Sequence, residues 1–371
     1  MKQREWTYML VFTAMAVLLT VMAGCGGSGT GNVTVKDPPN RETGGKMELV
    51  QIERKDDLYG LAWLSDTEII STRKPLWMEG MIYVHSQGGA KGPDRELGIH
   101  SALTVNPSPD RTHLFVSNRM NASFVQIADG KRVSLDVSDE TYSGHLNGDV
   151  RGAWIGENAY LLVTTYGLSV AGIHGDTTLV WTMKEYSESI LKVEAVPDLE
   201  DPNRFKAYFL DQRGVLYKMN VVFDHLNHPS AKGEPQQVRT KVVDFSVSAD
   251  GSKLAVAVET SENKNTVYLM ETGTPDKATV LAEGRLAKQI SWSPDGSKLA
   301  YSLFNLERGG SGLYVMDTKE GRTALVSLYP NLQSMLTWSP DGNRLMMSQE
   351  NPEMNLTTER TKLMTEIYRF K

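Results

Sequence analysis

From residue 47 onward, short apolar runs alternate with polar turns rich in Gly, Pro, Asp and Ser. Runs of this length, bounded by such turns and enriched in Val, Ile, Leu, Tyr and Phe, predict strands. No segment there holds a helical period long enough to bury one face, so the pattern predicts an all-β domain. Three segments are copies of one another: Asp244–Val258, Gln289–Leu303 and Met335–Gln349. Each has an apolar strand, a Ser-(Pro/Ala)-Asp-Gly turn and a second apolar strand. Aligned on one slot, they place Val247, Trp292 and Trp338 at matching positions.

The same spacing finds weaker copies upstream, with Trp63, Pro107, Trp154 and Ala195 in the slot. Positions 63 to 338 span six steps of about 46 residues, close to the period of a four-stranded propeller blade. Seven units fit, so the prediction is a seven-bladed β-propeller over residues 46–371. Six or eight blades are the neighbouring counts, and a pair of β-sandwiches is the competing arrangement. In the turn, Pro presets φ, Asp bonds back to the main chain and Gly takes the left-handed position. Asn158 is expected to hold that position in the third unit, since Asn tolerates positive φ better than most residues. After Trp338 only three strands can be read, ending in Thr365–Phe370. The spare strand Met47–Ile52 is expected to complete that last blade and close the ring, which also covers an open edge.

The Ser-Pro-Asp-Gly-Ser-Lys-Leu-Ala pattern resembles the WD40-like (PD40) repeats of TolB-type propellers. The resemblance is specific in the three C-terminal units, moderate in the second and carried by spacing in the others. True WD40 marks are absent, with Met316-Asp317 where Trp-Asp would stand. The chain has no room for the separate α/β domain of TolB-type proteins, so their partner is not implied here.

The first residues change the picture. Lys2 and Arg4 precede an apolar stretch from Tyr8 to Ala23, short for a membrane span and matching a signal-peptide core. Ala23-Gly24 directly before Cys25, the one cysteine of the chain, resembles the lipobox of bacterial lipoproteins. That resemblance implies cleavage after residue 24 and acylation of Cys25. Residues 25–45, rich in Gly and polar residues, read as a flexible tether. The expected location is therefore extracytoplasmic, on a bacterial cell envelope, with the membrane reached through lipid.

Charge and composition exclude more than they assign. The chain has 371 residues, 39 Lys+Arg against 45 Asp+Glu and a net charge of −6, without the basic footprint of a nucleic-acid binder. One cysteine excludes a disulfide framework and a Cys-rich metal site. The same repeats occur in the propellers of prolyl oligopeptidase-like enzymes, but no Gly-x-Ser-x-Gly occurs here and no stretch is left for a hydrolase domain. Asp224, His225 and His228 gather in one loop, where a polar turn explains them better than zinc. No catalytic residue, metal or cofactor is expected.

In a propeller, the loop leading into each first strand and the loop between second and third strands share one end. There the count from the turns places Tyr59, Arg73, Trp77, His100, Arg119, Tyr142, His145, Tyr166, Arg213 and Arg308. Trp, Tyr and Arg dominate interface hot spots. The leading expectation is a monomeric, non-catalytic scaffold that holds an envelope protein, peptide or glycan at this end. The alternative is a hydrolase or lyase on a cell-wall or extracellular polymer, with His100 and His145 at the channel mouth.

Overall fold

The computed structural model describes residues 47–371 except 77–79, 88–93, 101, 119–120, 136–145, 147–149, 184–188, 225–227, 275–276, 306–309, 329–330, 333 and 356–357. Of 351–355 and 358–361 the backbone alone is described. These residues belong to the compact unit Asp37–Lys371. Among them there is no helix, and the strands form seven antiparallel sheets.

Strand β1 (Leu49–Asp56) precedes the first blade, which is β2 (Tyr59–Ser65), β3 (Glu68–Thr72), β4 (Met81–Ser86) and β5 (Arg95–His100). Blade 2 is β6 (Thr104–Pro107), β7 (His113–Ser117), β8 (Ala122–Gln126) and β9 (Arg132–Leu135). Blade 3 is β10 (Ala153–Ile155), β11 (Ala159–Thr164), β12 (Gly167–Gly172) and β13 (Thr177–Thr182). In blade 4, β14 (Ile190–Asp198), β15 (Asp201–Asp211) and β16 (Leu216–Phe223) are followed by a split outer strand. Its halves, β17 (Pro229–Ala231) and β18 (Gln236–Arg239), both pair with β16. Blade 5 is β19 (Val242–Val247), β20 (Lys253–Ser261), β21 (Lys264–Glu271) and β22 (Ala278–Gly284). Blade 6 is β23 (Leu286–Trp292), β24 (Lys298–Phe304), β25 (Gly312–Asp317) and β26 (Thr323–Ser327). The last sheet takes β27 (Leu336–Trp338), β28 (Arg344–Asn355) and β29 (Thr358–Phe370) from the C-terminus and β1 as its outermost strand. Closure from opposite ends of the chain is thus as expected from the spare strand.

First strands of successive sheets touch one another, and β2 touches β27, so the sheets form a ring with first strands at the axis. The chain is a seven-bladed β-propeller. Its core is a series of apolar layers, one at each of the seven junctions between neighbouring blades. Among the described residues the layer between blades 7 and 1 is the smallest, with Leu58, Trp63, Ile69, Met346 and Ile367. Buried hydroxyls supplement it. Thr365 Oγ1 accepts from Gly60 N–H at 2.9 Å and donates to Leu58 O at 2.7 Å, while Ser348 Oγ donates to Gly60 O at 2.9 Å. Between the β2–β3 and β27–β28 turns Asp66 Oδ1 accepts the Asp341 N–H at 2.8 Å, and the Arg344 guanidinium donates to Asp66 O.

The repeat slot has a physical role that the alignment alone did not supply. Where it holds Trp, the indole Nε1–H crosses to the preceding blade and donates to the carbonyl one residue before that blade's slot. The pairs are Trp63 to Thr337 at 3.0 Å, Trp154 to Asn106 at 3.0 Å, Trp292 to Ser246 at 3.1 Å and Trp338 to Ser291 at 3.2 Å. Each Trp therefore both fills an apolar layer and satisfies a first-strand carbonyl. Trp292→Phe keeps most of the volume and removes the donor. The expected loss is about 1–2 kcal/mol, read from chemical denaturation as a lower midpoint at unchanged slope.

The turns follow one plan. Ser108, Ser248, Ser293 and Ser339 donate to Asp110, Asp250, Asp295 and Asp341 at 2.5–2.6 Å. Each Ser Oγ accepts the N–H that opens the next strand, from His113, Lys253, Lys298 or Arg344. Gly251, Gly296 and Gly342 take φ of 67–68° in these turns, and Arg111 takes 61° in blade 2. In blade 3 the left-handed residue is Gly156, with φ 64°, and not Asn158 as the alignment suggested. Ile155 pairs with Ala159, so only three residues make that turn, and the shorter loop needs its reversal at the first of them.

Candidate functional site

Antiparallel sheets around an axis have two ends. One gathers the starts of the first strands and the loops between second and third strands. The other gathers the Ser–Asp turns.

At the first end, large apolar side chains stand in water. Leu191 is the second residue of β14, Phe304 ends β24, Leu328 follows β26 and Met335 precedes β27, with 42–56% exposure. Of the remaining exposed large hydrophobics, Val50, Ile52 and Val280 lie on outermost strands, and Leu199 lies in the turn after β14. Three of the four at the first end come from blades 6 and 7. Burial there pushes the Tyr59 phenol up to about 12, with the Glu350 carboxylate adding to it. Glu350 also accepts the Leu76 N–H at 2.6 Å, tying the β3–β4 loop of blade 1 to the hairpin of blade 7.

The residues expected at this end disperse. Arg73 is exposed, but its guanidinium turns to Asp94 at 2.7 Å, and Asp94 also holds His85 Nδ1 at 2.7 Å. Arg213 folds back on Asp211 Oδ2 at 3.0 Å and on the Tyr217 hydroxyl at 3.2 Å. Tyr166 is partly buried, and its carbonyl accepts the Met183 N–H at 2.7 Å. His100 is exposed at the end of β5, the outermost strand of its blade, three strand spacings or about 14 Å from β2. Trp77, Arg119, Tyr142, His145, Arg308 and Cys25 lie outside the described residues. So do the two segments 1–24 and 25–45.

The channel is lined by side chains that belong to none of the motifs described above. Lys192 on β14 donates to Asp244 Oδ1 at 2.9 Å and to Phe245 O in blade 5, then reaches Ile290 O of blade 6 at 3.3 Å. Asp244 Oδ2 accepts the Ile290 N–H at 3.0 Å. Glu194 stands 3.4 Å from the Lys192 ammonium and accepts from Val247 N–H at 2.7 Å and from Ser246 Oγ at 3.2 Å. In blade 6 the Gln289 amide donates to Asn331 O at 2.6 Å and to Ser334 O, and accepts from Ser302 at 2.6 Å. Each group thus links its own first strand to the next blade. Lys192 and Glu194 keep 29% and 24% of their side-chain surface open although they sit at the axis, which marks a water-accessible channel.

The electrostatics follow from this packing. Desolvation works against the Lys192 charge, but Asp244 and Glu194 outweigh it and hold the ammonium above the usual lysine value. Desolvation raises the Glu194 carboxyl, against the pull of Lys192 and the Val247 N–H. Desolvation lowers Arg151, which precedes β10. A sequence signal for these residues existed. Arg151, Lys192, Asp244 and Gln289 all stand three residues before the repeat slot, polar where a buried strand would be apolar.

Among the described residues, no group of three His, Cys, Asp or Glu is placed to hold a metal ion. Of the loop with paired histidines, Asp224 and His228 are described, 3.4 Å apart and largely exposed. No family model and no curated protein matches this chain. Among solved structures, an oligogalacturonate lyase in complex with manganese aligns with 88% of this chain and 98% of its own, at a TM-score of 0.57 and 11% identity. A likeness at that identity is one of fold, and the fold the two share is the β-propeller.

Proposed function

We propose that this chain is a lipid-anchored, extracytoplasmic scaffold of the TolB-like propeller type, which holds an envelope protein or peptide at the first-strand end of the ring. The observation that carries this reading is the exposed apolar set Leu191, Phe304, Leu328 and Met335 around that end. Large apolar side chains gathered on one surface mark interaction sites, whereas singly scattered ones do not. The channel groups agree with it: Lys192, Glu194, Asp244 and Gln289 spend their hydrogen bonds on neighbouring blades, which is the work of a rigid frame. Cys25 is assigned as the acylated residue on its lipobox-like context, and two acyl chains would anchor the acidic domain without help from anionic lipids.

The test is a photo-crosslinker at Phe304 in the full-length lipidated chain, in its own cells, with adducts identified by mass spectrometry. One dominant adduct is expected, absent when the crosslinker stands at Asn343 in the turn at the opposite end. Equal background from both positions would remove the assignment of that surface. Cys25→Ser is expected to release the chain from the membrane fraction, and retention of the variant would remove the anchor.

A second reading is a lyase on an acidic polymer. The fold shared with an oligogalacturonate lyase and the channel cation Arg151, whose printed side-chain partner is the neutral Asn106, favour it. It predicts an unsaturated product from oligogalacturonate, read by ultraviolet absorbance. A flat trace at high protein concentration leaves the scaffold reading alone.

A further inference from the structure

Trp181 breaks the pattern of the other described tryptophans. Trp63, Trp154, Trp292 and Trp338 hold the repeat slot, and each spends its indole N–H on the preceding blade. Trp181 stands on the outermost strand of blade 3, opposite Leu168, at the register shift between β12 and β13. The same place at the register shifts of blades 4, 5 and 6 holds Arg239, Ala282 and Ser327, so the repeat asks for no aromatic ring there. The Trp181 Nε1–H has no acceptor among the described residues, and it is not one of the unpaired polar atoms closed off from water.

Its surroundings are aromatic and balanced in charge. The Trp181 ring lies 5.0 Å from that of Phe209 in blade 4, and Phe209 lies 5.2 Å from Tyr217 on the next strand. Phe209 is buried, whereas Trp181 and Tyr217 are partly exposed, so a buried ring joins two that reach the surface. The Tyr217 hydroxyl accepts from Arg213 Nη2 at 3.2 Å, and Asp211 Oδ2 accepts from Arg213 Nε at 3.0 Å. Arg213 and Asp211 thus cancel in charge and fix the phenol by its lone pair, which leaves its O–H to donate. Gly167 secures the other wall: at φ 149° it lies so close to Trp181 that an added Cβ would collide with the Trp181 carbonyl. Strand β13 ends and β16 begins at the first-strand end of the ring, and the aromatic strip lies there.

We propose that Trp181 and Tyr217 form a glycan site between blades 3 and 4, with Arg213 as a positioning residue and a neutral pyranose as ligand. A pyranose offers an apolar C–H face to an aromatic ring and hydroxyl oxygens to the Trp181 N–H and the Tyr217 O–H. That matches side chains with an apolar body and a polar tip in water. The paired charges of Asp211 and Arg213 leave this strip nothing to hold an ionic ligand, which separates the sugar from an acidic polymer. The site goes beyond the scaffold reading and shares no residue with the apolar set that carries it, so its failure would leave that reading standing.

The test uses the full chain, isotope-labelled at the tryptophan indoles for magnetic resonance, with cellotriose, maltotriose and triacetylchitotriose as separate probes. The Trp181 indole signal, assigned by its loss in Trp181→Phe, is expected to exchange rapidly with water in the free protein. It should shift saturably with at least one of the three sugars. Trp181→Phe keeps a ring and removes the donor, and should weaken that binding about tenfold, the scale of one lost hydrogen bond. It should lose less stability than Trp292→Phe, because no hydrogen bond of the fold goes with it. Tyr217→Phe should weaken binding in the same way. No shift with any of the three sugars, or unchanged affinity in Trp181→Phe, would make Trp181 a structural residue and end the proposal.

Discussion

Removing the last ten residues is expected to abolish the folded state, not to trim one blade. Those residues belong to β29, which lies between β28 and β1 in the closing sheet. With them go Leu363, Met364, Ile367, Tyr368 and Phe370, each at most 8% exposed. At about 2 kcal/mol for each buried side chain the loss is about 10 kcal/mol, as large as the whole stability of a typical domain. The register makes matters worse. β1 pairs with β29 from Phe370 to Met364, so the N-terminal strand loses its partner as well. Thr365 goes too, and with it the hydrogen bonds from Gly60 and to Leu58 that supplement the thinnest apolar layer. Circular dichroism of the truncated chain should show no cooperative thermal transition. A two-state melt within a few degrees of the intact protein would mean that the ring is held by its other junctions.

Lys192→Met is the second large effect. The side chain is replaced by one of similar length without charge, leaving Glu194 and Asp244 facing each other across the gap. Removing one partner of a buried ion pair costs about 3–5 kcal/mol, and access of channel water reduces this to about 2 kcal/mol. The pH dependence has a fixed sign. Lys192 is raised in the folded state, so its contribution is complete below the unfolded lysine value near ~10.4 and is lost as pH rises through the folded value. Glu194 is already raised by desolvation, and loss of the ammonium raises it further. The deficit of the variant should therefore be largest at neutral pH and above, and shrink in acid as Glu194 takes up a proton. Urea melts of both proteins across that range check it. A deficit that grows in acid would show that Lys192 is not what holds these carboxylates.

Both effects concern the axis and the seam, which the repeat alone only partly exposes. The slot spacing was enough to place all seven blades, because a blade is a local unit whose turns and strands are set by its own residues. Ser-Pro-Asp-Gly prescribes its own hydrogen bonds, and they recur in the predicted positions at Ser293 and Ser339. Where the turn was short the alignment misplaced the left-handed residue, since Asn158 matched the slot count while Gly156 matched the pairing.

The end-face residues were less legible. A loop position says which end a residue occupies, but not which way its side chain goes. Arg73 and Arg213 are at the expected end, yet each is held by an acid of its own blade, Asp94 or Asp211. Nothing in the sequence sets Phe304, Leu328 and Met335 apart from other apolar residues near strand ends, and only the ring shows that nothing among the described residues covers them.

The sequence by itself determined the number of blades, the turn chemistry and the closing of the last sheet by β1, because each follows from local spacing and strand pattern. The tertiary structure decided which polar residues meet. Lys192, Glu194 and Asp244 are joined, as are Asn106 and Arg151 some 45 positions apart, because a ring brings equivalent positions of neighbouring blades within hydrogen-bond reach. No local pattern encodes that distance. It arises only when seven sheets share one axis.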